Sequence, residues 1–222
     1  MRHEDTLQHS EVTVQAGGVR LEGQLTLPRE AEALVLFAHG SGSSRHIPRN
    51  RFVAEALHEV RLATLLFDLL TPEEETVDMR TRELRFDIEL LADRLTGAIE
   101  WALGQPPTCD LQIGLFGAST GAAAALMAAA RQPEVVGAVV SRGGRPDLAG
   151  AALSVVRAPT LLIVGGNDPV VLELNRQASE LMQTERRLEI IPGASHLFEE
   201  PGTLANAAAL ACAWFTQHLT RR

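Results

Sequence analysis

The chain contains no lysine; all 20 of its basic residues are arginine. Without a side-chain amine it has no Schiff-base chemistry, and it cannot carry the lysine-bearing loop that cradles nucleotide phosphates. Cysteine is scarce as well. Cys109 and Cys212 stand far apart, in no metal-ligand spacing and no CxxC pair, so both read as reduced structural residues. No uninterrupted apolar run reaches the roughly 18 residues that a membrane span requires. Met1 to Ser10 is polar and charged and lacks the apolar core of a secretory leader, so the expected address is cytoplasmic. An excess of positive charge is also missing. The net charge of −8 argues against nucleic acid, whose phosphates demand a basic surface.

What is present is ordinary for a globular chain: 222 residues, 45% hydrophobic and 22% charged. With no repeat, linker or shift in composition, residues 1–222 read as one domain, a monomer or homodimer. The opening resembles a hairpin. Val12 and Val14 alternate with polar neighbours, Gly17-Gly18 supplies the turn, and Val19, Leu21, Leu25 and Leu27 follow. Short runs apolar on both faces come next: Ala33–Ala38, Ala63–Phe67, Leu111–Phe116, Val135–Val140, Thr160–Val164 and Leu188–Ile191. Such runs suit a parallel sheet covered by helices. Between them lie helical stripes, one through Leu84, Ile88, Leu91, Leu95 and Ile99, another through Leu204, Ala208, Ala211, Phe215 and Leu219. The alternation predicts an α/β fold: a mostly parallel, doubly wound sheet with an antiparallel N-terminal hairpin. Ligands of such sheets bind beyond the C-terminal ends of the strands.

At one such end, Leu111–Phe116 runs into Gly117-Ala118-Ser119-Thr120-Gly121 and then a helix from Ala122 to Ala130. This is G-x-S-x-G in the strand–turn–helix setting that gives the motif meaning. A serine on so tight a turn needs neighbours without side chains two residues before and after it. It also needs a base. Of the seven histidines, His196 lies in a loop after the last strand, where it could reach back over Ser119. The acid that orients the imidazole should end another strand. Asp168, in Gly165-Gly166-Asn167-Asp168-Pro169, is the first choice, with Asp147 and Asp68 as substitutes. The oxyanion of acyl transfer needs two backbone N–H donors. Thr120 supplies one, and Ser41 in His39-Gly40-Ser41-Gly42 is expected to supply the other. That loop only partly matches a dinucleotide fingerprint, because the third glycine and the distant acid are missing.

On these motifs the chain resembles the dienelactone hydrolase-like branch of the α/β-hydrolase superfamily over essentially its whole length. It is similar above all to bacterial members known as hydrolases inferred from sequence, which share stretches such as Ser41–Arg51, Arg82–Asp87 and Ser141–Asp147. The resemblance implies the α/β-hydrolase fold, no cofactor, and carboxylic-ester or lactone hydrolysis; no histidine–carboxylate cluster in the sequence offers a metal a home, and the absence of a lid favours small esters. Dienelactone hydrolases proper carry a cysteine nucleophile where this chain has Ser119.

Arginines gather near the expected mouth: Arg45, Arg49, Arg51, Arg142 and Arg145. Arg142 ends a strand on the active-site edge. It could clamp a substrate carboxylate or form a structural salt bridge with Asp68 or Glu73–Glu75. Glu73-Glu74-Glu75 reads as a solvated loop, and Arg85 with Glu89 as an exposed helix pair. The stretch from Val140 to Pro159 is long enough for a short helix but not for a lid domain, so the site should be open or roofed by loops. Two alternatives remain: acyl transfer or thioesterase use of the same acyl-enzyme, and a non-catalytic binding protein that keeps the fold.

Overall fold

The computed structural model describes residues 7–40, 42 and 44–220, so most of the expected polar leader lies outside the described residues. The hairpin forms as expected. Strands β1 (Gln8–Ala16) and β2 (Val19–Leu27) pair antiparallel from Gln8 opposite Leu27 to Ala16 opposite Val19. Strands and helices then alternate: β3 (Ala33–Ala38), α1 (Pro48–Glu59), β4 (Leu62–Phe67), α2 (Pro72–Thr81), α3 (Ile88–Leu103), β5 (Gln112–Ala118) and α4 (Thr120–Arg131). The remainder is β6 (Val136–Arg142), a 3₁₀ segment over Pro146–Ser154, β7 (Thr160–Gly165), α5 (Pro169–Leu181), β8 (Arg186–Ile191) and α6 (Thr203–Leu219).

The eight strands lie in the order β1-β2-β4-β3-β5-β6-β7-β8. Among the described residues only the β1–β2 and β2–β4 pairings are antiparallel; from β4 to β8 the sheet is parallel. Strands β3, β4 and β7 are buried at every position, as central strands covered on both faces must be. One face packs against α3 and α4 through Leu34, Leu36, Leu95 and Leu126. The other packs against α1 and α6 through Val35, Phe37, Leu57 and Phe215. This is the α/β-hydrolase fold. Strand β3 lies between β4 and β5, so the chain order reverses there, and a crevice opens between the C-terminal ends of β3 and β5. No helix among the described residues is long and apolar enough to cross a membrane.

Two local expectations are corrected. Glu73-Glu74-Glu75 is not a loop but the first turn of α2. Thr71 Oγ1 accepts from the Glu74 N–H at 3.2 Å, and the Glu74 carboxylate accepts from the Thr71 N–H at 2.9 Å. That reciprocal cap, with Pro72 at the first position and three acids against the helix dipole, nucleates a helix of low hydrophobicity. Arg85 and Glu89 also fail to share a helix. Asp87 caps α3 by accepting from the Leu90 N–H at 3.0 Å, which leaves Leu84–Phe86 as a separate 3₁₀ turn. Arg85 instead pairs with buried Asp78 at 2.5 Å, while Glu89 pairs with Arg131.

Candidate active site

Ser119 sits between β5 and α4 with φ +52° and ψ −123°, a conformation that costs a non-glycine residue roughly 1–3 kcal/mol. The flanking glycines explain how the turn is held. A Cβ at Gly117 would lie 2.4 Å from Ala122 Cα, and one at Gly121 would lie 2.1 Å from the Ala38 carbonyl oxygen. Both obstacles are backbone, so any side chain would push α4 off the sheet. Residues 122–129 are all buried, and the alanines among them, Ala122–Ala125 first, let the helix come close. The hydroxyl thus stands at the N-terminus of α4, where the helix dipole favours negative charge.

His196 is carried on the loop after β8. Its Nδ1 lies 2.7 Å from Asp168 Oδ2. Two turns are laced together to make this contact: the Asn167 N–H donates to the Ala194 carbonyl at 2.9 Å, and Asn167 Nδ2 donates to the Gly193 carbonyl at 2.9 Å. The Ser195 N–H donates to the Glu200 carboxylate at 3.0 Å, which holds that carboxyl below the usual range and pins the far side of the loop. The two substitute acids are engaged elsewhere. Asp147 takes two hydrogen bonds from Arg145, at 2.8 and 2.7 Å, and Asp68 pairs with Arg45.

Ser119 and His196 line one cleft of about 370 Å³, together with Gly40, Ile47, Asn50 and Arg142. No hydrogen bond joins Ser119 Oγ to His196 among the described residues; such contacts are often long in unliganded sites and tighten around the reacting group. Thr120 opens α4, where the first N–H groups have no acceptor within the helix. Ser41 lies outside the described residues. Its neighbour Gly40 stands against Ser119: a Cβ there would come within 3.0 Å of Ser119 Cβ. That loop is anchored by His39, which accepts from the Leu69 N–H on Nε2 at 3.1 Å and donates from Nδ1 to the Gly40 carbonyl at 3.0 Å. Burial pushes this imidazole below its ordinary value and keeps it neutral, as an accepting nitrogen requires.

A family model described as the dienelactone hydrolase family matches residues 63–220, a span that takes in Ser119, Asp168 and His196. The chain belongs to the dienelactone hydrolase family. Within that family it is similar to the crystal structure of a dienelactone hydrolase from Anabaena variabilis. The two are 60% identical, the match covers 96% of this chain and 99% of the other, and the TM-score is 0.95. Est1E from Butyrivibrio proteoclasticus shares the fold at 15% identity, over 93% of this chain and 98% of its own, with a TM-score of 0.77. A Mycobacterium tuberculosis protein provisionally named a phosphoribosyl transferase is 59% identical over 96% of this chain. The match covers 47% of that protein, so the chain spans about half the length of this curated relative.

In this dienelactone hydrolase family member Arg142, an expected site residue, meets two partners that sequence reasoning missed, Asn50 and Phe198. Arg142 is 6% exposed and forms no salt bridge among the described residues, so the structural pairing expected with Asp68 or Glu73–Glu75 is not made. Asp68 is held by Arg45, and Glu74 by Arg94 at 2.6 Å. The contacts of Arg142 are Asn50 Oδ1, 3.3 Å from Nη2, and the Phe198 ring, whose centroid lies 5.7 Å from the guanidinium carbon. Asn50 comes from the first turn of α1, and Phe198 from the loop of His196, where it is buried at φ +57°. The sequence offered no periodic signal for either contact.

Proposed function

We propose that the chain is a serine hydrolase of carboxylic esters or lactones that works through an acyl-enzyme on Ser119. The observation that carries this reading is the 2.7 Å His196–Asp168 contact beside a serine on a strained strand–helix turn in the same cleft. Ser119 Oγ attacks the substrate carbonyl while His196 Nε2 takes its proton. Asp168 accepts from Nδ1–H, which fixes the tautomer and stabilises the imidazolium. The N–H groups of Thr120 and Ser41 hold the oxyanion; losing one such donor costs about 10²–10³ in turnover. The alcohol leaves with the proton from His196. Water deprotonated by the same imidazole then attacks the acyl-enzyme, and the acid is released.

The test is chemical. A fluorophosphonate probe should label the wild-type protein, and Ser119→Ala should abolish labelling together with hydrolysis of 4-nitrophenyl acetate, a loss of about 10³-fold or more. Labelling that survives in Ser119→Ala would refute the assignment. Adding a competing alcohol or thiol to the same assay shows whether the acyl group passes to an acceptor other than water. Incubation with phosphoribosyl pyrophosphate tests the activity in the relatives' name, which this mechanism gives no reason to expect.

A further inference from the structure

The buried face of α5 carries Val171, Asn175 and Ala178, and the amide in the middle of that face breaks its apolar pattern. Asn175 is fully buried in a helix interior, where an apolar side chain would leave no polar atom to satisfy. Its Oδ1 has no hydrogen-bond partner among the described residues. Its Nδ2 donates twice, to the Val171 carbonyl one turn back at 2.8 Å and to the Gly144 carbonyl at 2.9 Å. Both neighbours are acceptors, which decides the end of the amide that faces them. The first bond stays within the helix. The second crosses to the segment after β6.

That segment is wrapped around the reacting centre. The Ser119 N–H donates to the Arg142 carbonyl at 3.4 Å, and the Arg145 N–H donates to the Ser119 carbonyl at 3.0 Å. Residues 142–145 therefore hold both backbone groups of the strained serine. The same strap touches the base: a Cβ at Gly143 would lie 3.1 Å from the His196 carbonyl oxygen. Gly144 is wedged against α4, where a Cβ would lie 2.0 Å from Ser141 Oγ and 2.5 Å from Ala122 Cβ. Two anchors fix the glycine pair. The Gly143 N–H donates to the Ile163 carbonyl of β7 at 2.8 Å, and Asn175 holds the Gly144 carbonyl. The helix that carries Asn175 begins directly after Asp168. The supports of nucleophile, base and acid meet at this amide.

We propose that Asn175 is a positioning residue for the nucleophile: by anchoring the Gly144 carbonyl it sets where Arg145 holds Ser119, and hence how Ser119 Oγ stands toward His196. The inference rests on the serine-hydrolase reading for its effect on rate, while the strap is read from hydrogen bonds alone. Without the anchor the Gly144 peptide is free to rotate, and the Arg145 N–H leaves the Ser119 carbonyl. A displacement of about 1 Å at a reacting group costs on the order of 10²-fold in rate.

Asn175→Leu removes the donor, and the unpaired oxygen with it, at similar volume. Its kcat for 4-nitrophenyl acetate should fall by about 10- to 100-fold, with KM within about threefold of wild type. Fluorophosphonate should still label the variant to completion, at a rate reduced by the same factor as kcat. A second arm needs no turnover: amide hydrogen exchange at Arg145 should quicken by about tenfold or more, with the amides of β5 unchanged. Asn175→Asp keeps the size of the side chain but has a donor only while its carboxyl is protonated. Its kcat relative to wild type should therefore rise as the pH falls from about 8 to about 6. If the wild-type protein is not labelled while Arg145 exchange responds to Asn175→Leu, the hydrolase reading fails and the strap stands. Arg145 exchange within about twofold of wild type in Asn175→Leu overturns the proposal, as does a rate loss that tracks only a smaller labelled fraction. Should Asn175→Leu not fold, a kcat ratio of Asn175→Asp that ignores pH overturns it instead.

Discussion

Replacing Arg142 with methionine should make the unliganded protein more stable. The folded structure lowers the proton affinity of this guanidinium from the ordinary arginine range to about 10. That is roughly two and a half decades of proton affinity, or about 3 kcal/mol of penalty on the charged form. Opposing it are the long Asn50 hydrogen bond, worth about 1 kcal/mol, and the Phe198 contact, worth about 1 kcal/mol. An unbranched side chain of similar length removes the charge and keeps most of the packing. The balance is a gain of about 1 kcal/mol, or a Tm rise of about 2–4 °C for a chain of this size. Urea unfolding should show a higher midpoint with an unchanged slope. The penalty is present in full below pH 10 and is relieved as pH rises above it, because the folded state then releases the proton that the unfolded chain retains. The advantage of the variant should therefore be constant at neutral pH and shrink above pH 10, a window in which no lysine or tyrosine of this chain titrates. A variant less stable than wild type by more than about 1 kcal/mol would show that the charge is compensated and would refute this reasoning.

Two other outcomes follow from the structure. Gly121→Ala places a methyl group 2.1 Å from the Ala38 carbonyl oxygen, which the backbone can relieve only by moving α4; a loss of about 3 kcal/mol or more is expected in urea unfolding, and a loss under 1 kcal/mol would contradict the close-approach account of the motif. Acid should destabilise the protein through two histidines: burial lowers His39, and burial and the nearby His9 lower His58 to about 4. The unfolded chain takes up these protons near pH 6.5 while the folded chain resists, so stability held above that pH is lost as the pH falls toward 4. His58→Gln should flatten the dependence of the urea midpoint on pH, and an unchanged slope would count against the assignment.

The sequence by itself determined what depends on local sterics and period. Apolar runs place six strands of the sheet to within one or two residues of their observed bounds, because a strand buried on both faces tolerates little else. Gly117 and Gly121 around Ser119 specify a turn that no other spacing permits, and that turn is visible in five letters. The capping pair Thr71 and Glu74 is equally local, but three successive acids carry no apolar period, so only the cap marks this segment as a helix. Only the tertiary structure decided which partner each charge meets. Asp168, Asp147 and Asp68 all end or follow strands, so the sequence ranks Asp168 first without excluding the others; the lacing of Asn167 to the Gly193-Ala194 turn brings Asp168 to His196, while arginines occupy the other two. Arg142 went the opposite way, with no carboxylate partner among the described residues because its strand delivers it to Asn50 and Phe198. Pairings between loop ends depend on how distant turns pack against one another, and that information is spread over the whole core rather than written beside the residues it governs.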